Sequence, residues 1–79
     1  MNINSNLETR KIPSLYFLYE VSKDGRIVRN VKSKRKLRQF LSDDGFWHIR
    51  VKIKGELIDK RVIDIVSDCW NLKETHIFV

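Results

Sequence analysis

The sequence predicts an α+β fold, an antiparallel β-sheet meander of 3–5 strands with one C-terminal amphipathic helix packed on one face. Three observations predict it. Turn signals recur about every ten residues: "KDG" at 23–25, "KSKR" at 32–35, "SDDG" at 42–45 and "KGE" at 54–56, as short antiparallel strands joined by tight turns require. Between the last two, "WHIRVKIK" (47–54) sets Trp47, Ile49, Val51 and Ile53 against His48, Arg50, Lys52 and Lys54, a period of two. Past residue 60 the period changes, because Val62, Ile65, Val66, Cys69 and Trp70 fall at i, i+3, i+4, i+7 and i+8.

The elements follow in order. Residues 1–11 are polar and aperiodic and read as a flexible lead-in ending at Pro13; residues 12–79 then form a single domain. "SLYFLYEVS" (14–22), rich in aromatic and β-branched residues, reads as a first strand that stops at Gly25. "RIVRNV" (26–31) is a second strand and "KLRQFL" (36–41) a shorter third. The run 46–54 is the longest strand and "LIDK" (57–60) follows its turn. Residues 61–70 form the helix, and the apolar tail "LKETHIFV" is expected either to add an edge strand or to dock. By spacing, Trp47 and Trp70 belong to the core, while Phe46 beside Gly45 suits either the core or exposed stacking.

Composition bounds the function. A chain of 79 residues buries about 60% of the surface its unfolded form exposes, enough for one small core. Sixteen Lys and Arg against ten Asp and Glu give a net charge of +6, which attracts polyanions. A lone cysteine, Cys69, excludes an internal disulfide, and two histidines give no structural zinc set. On the apolar helix stripe and without an evident His or Asn partner, Cys69 reads as a buried, inert thiol. No apolar leader and no membrane-length apolar run is evident, so a cytoplasmic location is expected.

The alternating strand buries one row and turns the other outward, and that outer row carries His48, Arg50, Lys52 and Lys54. Arg26, Arg29, Lys32, Lys34, Arg35, Lys36 and Arg38 precede it with no acidic residue among them. Lysines that protect an exposed strand edge explain one or two of these, but not a face spread over two strands. The candidate nucleic-acid-binding set is therefore these eleven residues. Arg38 and Arg50 offer planar forks for base or bidentate phosphate contact. Lys32, Lys34, Arg35, Lys36, Lys52 and Lys54 mainly supply charge, and His48 is a candidate donor.

The string "YEVSKDGRIVRN" resembles the opening of the nuclease-associated modular DNA-binding domain found N-terminal to the HNH motif in phage and intron homing endonucleases, through Tyr19, Val21, Ser22, Gly25, Arg26, Ile27 and Arg29. The following segment is similar at Gly45, Phe46, Trp47, Arg50, Val51 and Gly55, and the helix at Val62, Ile65, Val66 and Trp70. Two departures set expectations. Ile63 and Asp64 stand where the family's helix has His-Arg, and the sequence reaches Val79 about where the metal-ligand segment would begin, with His76 its one downstream histidine. The resemblance also extends to the plant APETALA-type domain, which reads DNA with its sheet.

The expectation is thus a non-catalytic nucleic-acid-binding module of phage or mobile-element type, with no cofactor and no metal. Its expected partner is double-stranded DNA, bound as a monomer or homodimer. The alternative is a small interaction module or inhibitor that occupies an acidic or nucleic-acid-binding surface of a host protein such as a defence nuclease.

Overall fold

Ile12 begins the described core and explains how the chain enters it. In the computed structural model, which describes residues 8–70, strand β1 (Thr9–Lys11) runs into Ile12, and Pro13 opens a single 3-10 turn (Pro13–Leu15). Proline fits there because its missing N–H has no partner at a helical start. The Ile12 carbonyl accepts from Leu15 N–H (3.1 Å) and Phe17 N–H (2.9 Å), and Ile12 N–H donates to the Tyr19 carbonyl (2.8 Å). Tyr16 and Phe17 take left-handed backbone angles, φ 58° and 61°, at about 1–2 kcal/mol each. Closing the turn buries Ile12 and Leu15 completely, which offsets that strain.

Two sequence expectations are therefore corrected here. The expected strand 14–22 is a strand only over Tyr19–Ser22 (β2), and residues 9–11 of the supposed lead-in are β1, paired antiparallel to β2. β2 pairs in turn with β3 (Val28–Asn30). Residues 1–7 and the tail "LKETHIFV" with His76 lie outside the described residues.

The meander is not one sheet. β4 (Phe40–Leu41), β5 (Trp47–Ile53) and β6 (Glu56–Arg61) form a second antiparallel sheet, so the order is β1-β2-β3 in sheet A and β4-β5-β6 in sheet B. The segment read as a third strand, 36–41, instead crosses between them. Its start stays on β3 through the Arg29–Lys36 bridge and a Leu37 N–H bond to the Val28 carbonyl of 2.7 Å. Gln39 Nε2 then donates to the carbonyls of Gly25 (2.8 Å) and Arg26 (3.3 Å). The chain enters sheet B only at Phe40.

Helix α1 (Val62–Trp70) follows β6 without a loop and lies across both sheets. Val62, Ile65, Val66 and Cys69 meet Val21 and Val28 of sheet A and Ile49, Val51 and Ile53 of sheet B in one core. The helix C-terminus is tied to sheet A. Arg10 Nη1 donates to the Cys69 carbonyl (3.0 Å) while its guanidinium stacks 4.2 Å from the Trp70 ring, and Trp70 Nε1 donates to the Val21 carbonyl (3.2 Å). Cys69 is buried with its Sγ 3.6 Å from the Lys11 carbonyl, and burial pushes its thiol pKa up. Gly25, at φ 77°, is required by space as well as by conformation: a Cβ there would lie 3.1 Å from Val62 Cγ1 and 3.2 Å from Val66 Cγ2. No helix among the described residues is long and apolar enough to cross a membrane.

Candidate nucleic-acid interface

The turn Lys54–Gly55, with φ 54° and 81°, is the mirror-image type that matches the twist of a two-residue hairpin. It fixes the register of β5 on β6. His48 pairs with Arg61, Arg50 with Asp59 and Lys52 with Leu57, and β4 adds Phe40 opposite His48. Because successive side chains alternate, these seven residues share the side of sheet B that faces away from the helix. Ile49, Val51 and Ile53 are buried on the other side.

That outer face is not uniformly cationic, and here the sequence expectation fails. Asp59 Oδ2 accepts from Arg50 Nη2 (3.0 Å) and Nε (3.3 Å), and Asp59 Oδ1 lies 2.6 Å from His48 Nδ1. The other imidazole nitrogen, Nε2, lies 2.9 Å from Asp44 Oδ2, which also accepts from Arg61 Nε at 3.1 Å. A carboxylate at each nitrogen favours the doubly protonated imidazolium, in which both nitrogens donate. The hydrogen bonds to Asp59 and Asp44 raise the His48 pKa above its ordinary 6.5 against the opposing pull of desolvation. Asp59 is held below 3.8 by the bonds from His48 and Arg50. Asp44 is held below 3.8 first by the Phe46 backbone N–H and then by His48 and Arg61. Two aromatic rings close the chain of contacts: the Arg50 guanidinium lies 4.9 Å from the Phe40 ring and that of Arg61 4.4 Å from the Phe46 ring.

Sheet A has a similar internal neutralisation. Glu20, 6% exposed, accepts from Arg29 Nε (2.6 Å) and Lys34 Nζ (3.2 Å). Burial pushes this carboxyl up, but the hydrogen bonds from Arg29, Lys34 and Thr9 outweigh it and hold the pKa below 4.5. Arg29 and Lys34, expected as contact residues, are thus tied to a structural anion.

The remaining candidates separate clearly. Lys32 and Arg35 are exposed in a turn that Asn30 organises, its Oδ1 accepting from Lys32 N–H and Ser33 N–H at 2.9 Å each. Lys36 and Arg38 are exposed while the intervening Leu37 is half-buried against the core, so the two cations alternate outward. Lys52 is exposed on the face of sheet B and Lys54 in its turn, where Nζ lies 5.9 Å from the Tyr16 ring. Arg26 is 86% exposed and paired only loosely, its Nε 3.8 Å from Asp24 Oδ2. Among the described residues no carboxylate lies within 4.0 Å of Lys32, Arg35, Lys36, Arg38, Lys52 or Lys54.

Sequence reasoning missed Asp44, Asp59, Arg61 and Phe40. The signal for two of them was present, since a two-residue turn at Lys54–Gly55 places Asp59 opposite Arg50 and Arg61 opposite His48 by counting alone. It also misplaced Trp47, which is 53% exposed rather than in the core. With Phe46 and Ile63, Trp47 lines an open groove beside Gly25 and Val66. Among the described residues no group of three or more His, Cys, Asp or Glu is placed to hold a metal ion.

The architecture is an α+β module in which a helix backs two small sheets. A solved structure described as "DNA binding and cleavage by the HNH homing endonuclease I-HmuI" is similar to it. It matches with a TM-score of 0.65 and 26% identity over 78% of this chain. The present chain corresponds to 35% of that one, about a third of its length. No family model matches, and no curated protein matches at a significant level.

Proposed function

We propose that this chain is a non-catalytic module that binds double-stranded DNA through the outer face of sheet B and the basic crossover 32–38. The observation that carries the reading is the unbalanced charge of that surface. Lys32, Arg35, Lys36, Arg38, Lys52 and Lys54 stand exposed without a carboxylate partner among the described residues, in a chain of net charge +6. Such cations gain by releasing the counterions condensed on a duplex. A β-ribbon of this size enters a major groove, with face residues toward the bases and flanking cations on phosphates. The likeness to a homing endonuclease whose structure concerns DNA binding supports the same reading.

Non-catalytic action is supported by the chemistry present. The described histidine, His48, has both nitrogens engaged by carboxylates, which leaves it neither a metal ligand nor a general base. Incubation with supercoiled plasmid and Mg²⁺ or Mn²⁺ is expected to leave the plasmid uncut. DNA binding is tested by titrating a labelled 20-base-pair duplex at several salt concentrations. About five phosphate contacts give a slope of log K against log salt near −4 to −5. No binding at low salt would retire the proposal.

A further inference from the structure

The outer face of sheet B contains two guanidiniums that each meet a carboxylate and an aromatic ring, and Arg50 is the one held by a pair of hydrogen bonds. Arg50 Nε and Nη2 both donate to Asp59 Oδ2, and the plane lies over the Phe40 ring at 4.9 Å. Arg61, its counterpart one row away, stacks on Phe46 at 4.4 Å but is held by Asp44 at Nε alone, so one hydrogen bond rather than two sets the direction of its fork. Arg38 has no side-chain hydrogen bond among the described residues. A guanidinium carries five N–H groups in a rigid plane. With the Nε edge occupied, Arg50 retains its Nη1–Nη2 edge, a pair of parallel donors, and its side chain is 52% exposed.

We propose that Arg50 reads a guanine through this free edge, with Asp59 and Phe40 as its positioning residues. The inference rests on the DNA-binding reading above and specifies what that surface recognises. Two parallel donors call for two adjacent acceptors. In the major groove only guanine presents them, as O6 and N7; adenine pairs an acceptor with a donor, thymine an acceptor with a methyl group, and cytosine offers a donor. The neighbouring carboxylate also argues against a phosphate as the partner. Asp59 stands 3.0 Å from Arg50 Nη2 and would repel a phosphate anion, whereas a base edge is neutral. The carboxylate thereby selects a base over the backbone, and the ring and the paired hydrogen bonds hold the fork in one plane before DNA arrives, so less side-chain entropy is lost on binding. Lys52 on the same face has no such buttress and is a point charge.

The experiment is selection from a 20-base-pair duplex pool with a randomised centre, by the wild-type chain, Arg50→Lys and Asp59→Ala, followed by titration of the selected duplex and of its guanine-to-adenine variant. Thermal unfolding of each variant confirms that it is folded, and Asp59→Asn replaces Asp59→Ala if alanine prevents folding. Wild type is expected to enrich guanine at one position and to lose about 5- to 150-fold in affinity when that base is changed. Arg50→Lys, which keeps the charge but not the fork, is expected to reduce the ratio to within about twofold with the salt slope retained. Asp59→Ala is expected to reduce the ratio as well, yet to raise affinity for duplexes lacking the guanine, because a repelling carboxylate is gone; a merely structural loss would lower both. Binding with no enriched guanine, or a guanine preference unchanged in Arg50→Lys, overturns this assignment and leaves DNA binding standing. Absence of wild-type binding at low salt overturns the DNA-binding reading and the assignment with it.

Discussion

His48 Nδ1 lies 2.6 Å from Asp59 Oδ1, and the ring's other nitrogen meets Asp44 at 2.9 Å, so one imidazolium joins the β4–β5 turn to strand β6. Phe40, from β4, packs against the same ring at 5.7 Å between centroids. The contact makes stability depend on pH in a stated direction. The charged groups facing His48 are Asp44 and Asp59, each shared with an arginine, Arg61 and Arg50 respectively. The folded pKa of His48 lies above 6.5. Its stabilisation is therefore full below 6.5 and is lost as pH rises through the folded value. The carboxylates Asp44, Asp59 and Glu20 are depressed below 3.8, 3.8 and 4.5, so their contribution is present above those values and lost in acid. Thermal unfolding followed by circular dichroism is expected to give a Tm that is highest between about pH 5 and 6.5 and falls on both sides. His48→Gln is expected to flatten the alkaline fall and leave the acid one.

Glu20 is the anion on which the charge of sheet A depends. Glu20→Gln leaves Arg29, whose side chain is 21% exposed, without its carboxylate. The expected cost is about 1–3 kcal/mol in urea unfolding, the range for removing a partner from a buried charged group. Lys34→Ala is expected to cost less than about 1 kcal/mol, since that ammonium is 55% exposed. Equal losses from the two variants would contradict the assignment of Arg29 as the dependent partner.

Arg10 fastens the end of α1 by two means, a hydrogen bond to the Cys69 carbonyl and stacking on Trp70. Arg10→Ala is expected to destabilise by about 1–2 kcal/mol, the sum of a helix C-terminal cation and an exposed cation–π contact. Amide hydrogen exchange checks the location of the effect: protection is expected to fall first in the last turn of α1.

The two glycines Gly25 and Gly55 separate conformational from steric cost. Both have positive φ, but a Cβ at Gly55 meets nothing within 4 Å, whereas one at Gly25 presses on Val62 and Val66. Gly55→Ala is expected to cost about 1–2 kcal/mol. Gly25→Ala adds about 1–3 kcal/mol for the overpacked helix. Urea midpoints of the two variants measure the difference directly.

For DNA binding, Lys36→Ala and Arg38→Ala are each expected to reduce the magnitude of the salt slope by about 0.9 with little change in base preference. Arg29→Ala is expected to leave the slope unchanged while lowering stability, because its charge is already spent on Glu20. A slope insensitive to Lys36 and Arg38 would place the DNA elsewhere on the surface.

Much of this was legible in the sequence. The residues buried on β5 and α1 followed from periods of two and 3.6, and the turns at 23–25, 32–35, 42–45 and 54–55 fell where Gly or a polar run marked them, because these are local properties of the chain. Of the expected outer row, His48, Arg50 and Lys52 do share one face, whereas Lys54 falls in the turn. What that face meets was not legible, since whether Arg50 is a free cation depends on Asp59 from another strand and Asp44 from a turn. The same applies to "SLYFLY", whose strand propensity yields to a turn that buries Ile12 and Leu15, and to "KLRQFL", which leaves one sheet for another.

The sequence by itself determined the α+β class, the helix, the long hairpin and the excess of positive charge. Only the tertiary structure decided that the strands divide into two sheets, that Arg29 and Lys34 are consumed by Glu20, and that Arg50 is fixed by Asp59 over Phe40. The reason is physical: backbone period and net charge are carried by neighbours in the chain. Neutralisation and side-chain orientation are set within about 4 Å by groups far apart in sequence, which meet only once both sheets close on a common core.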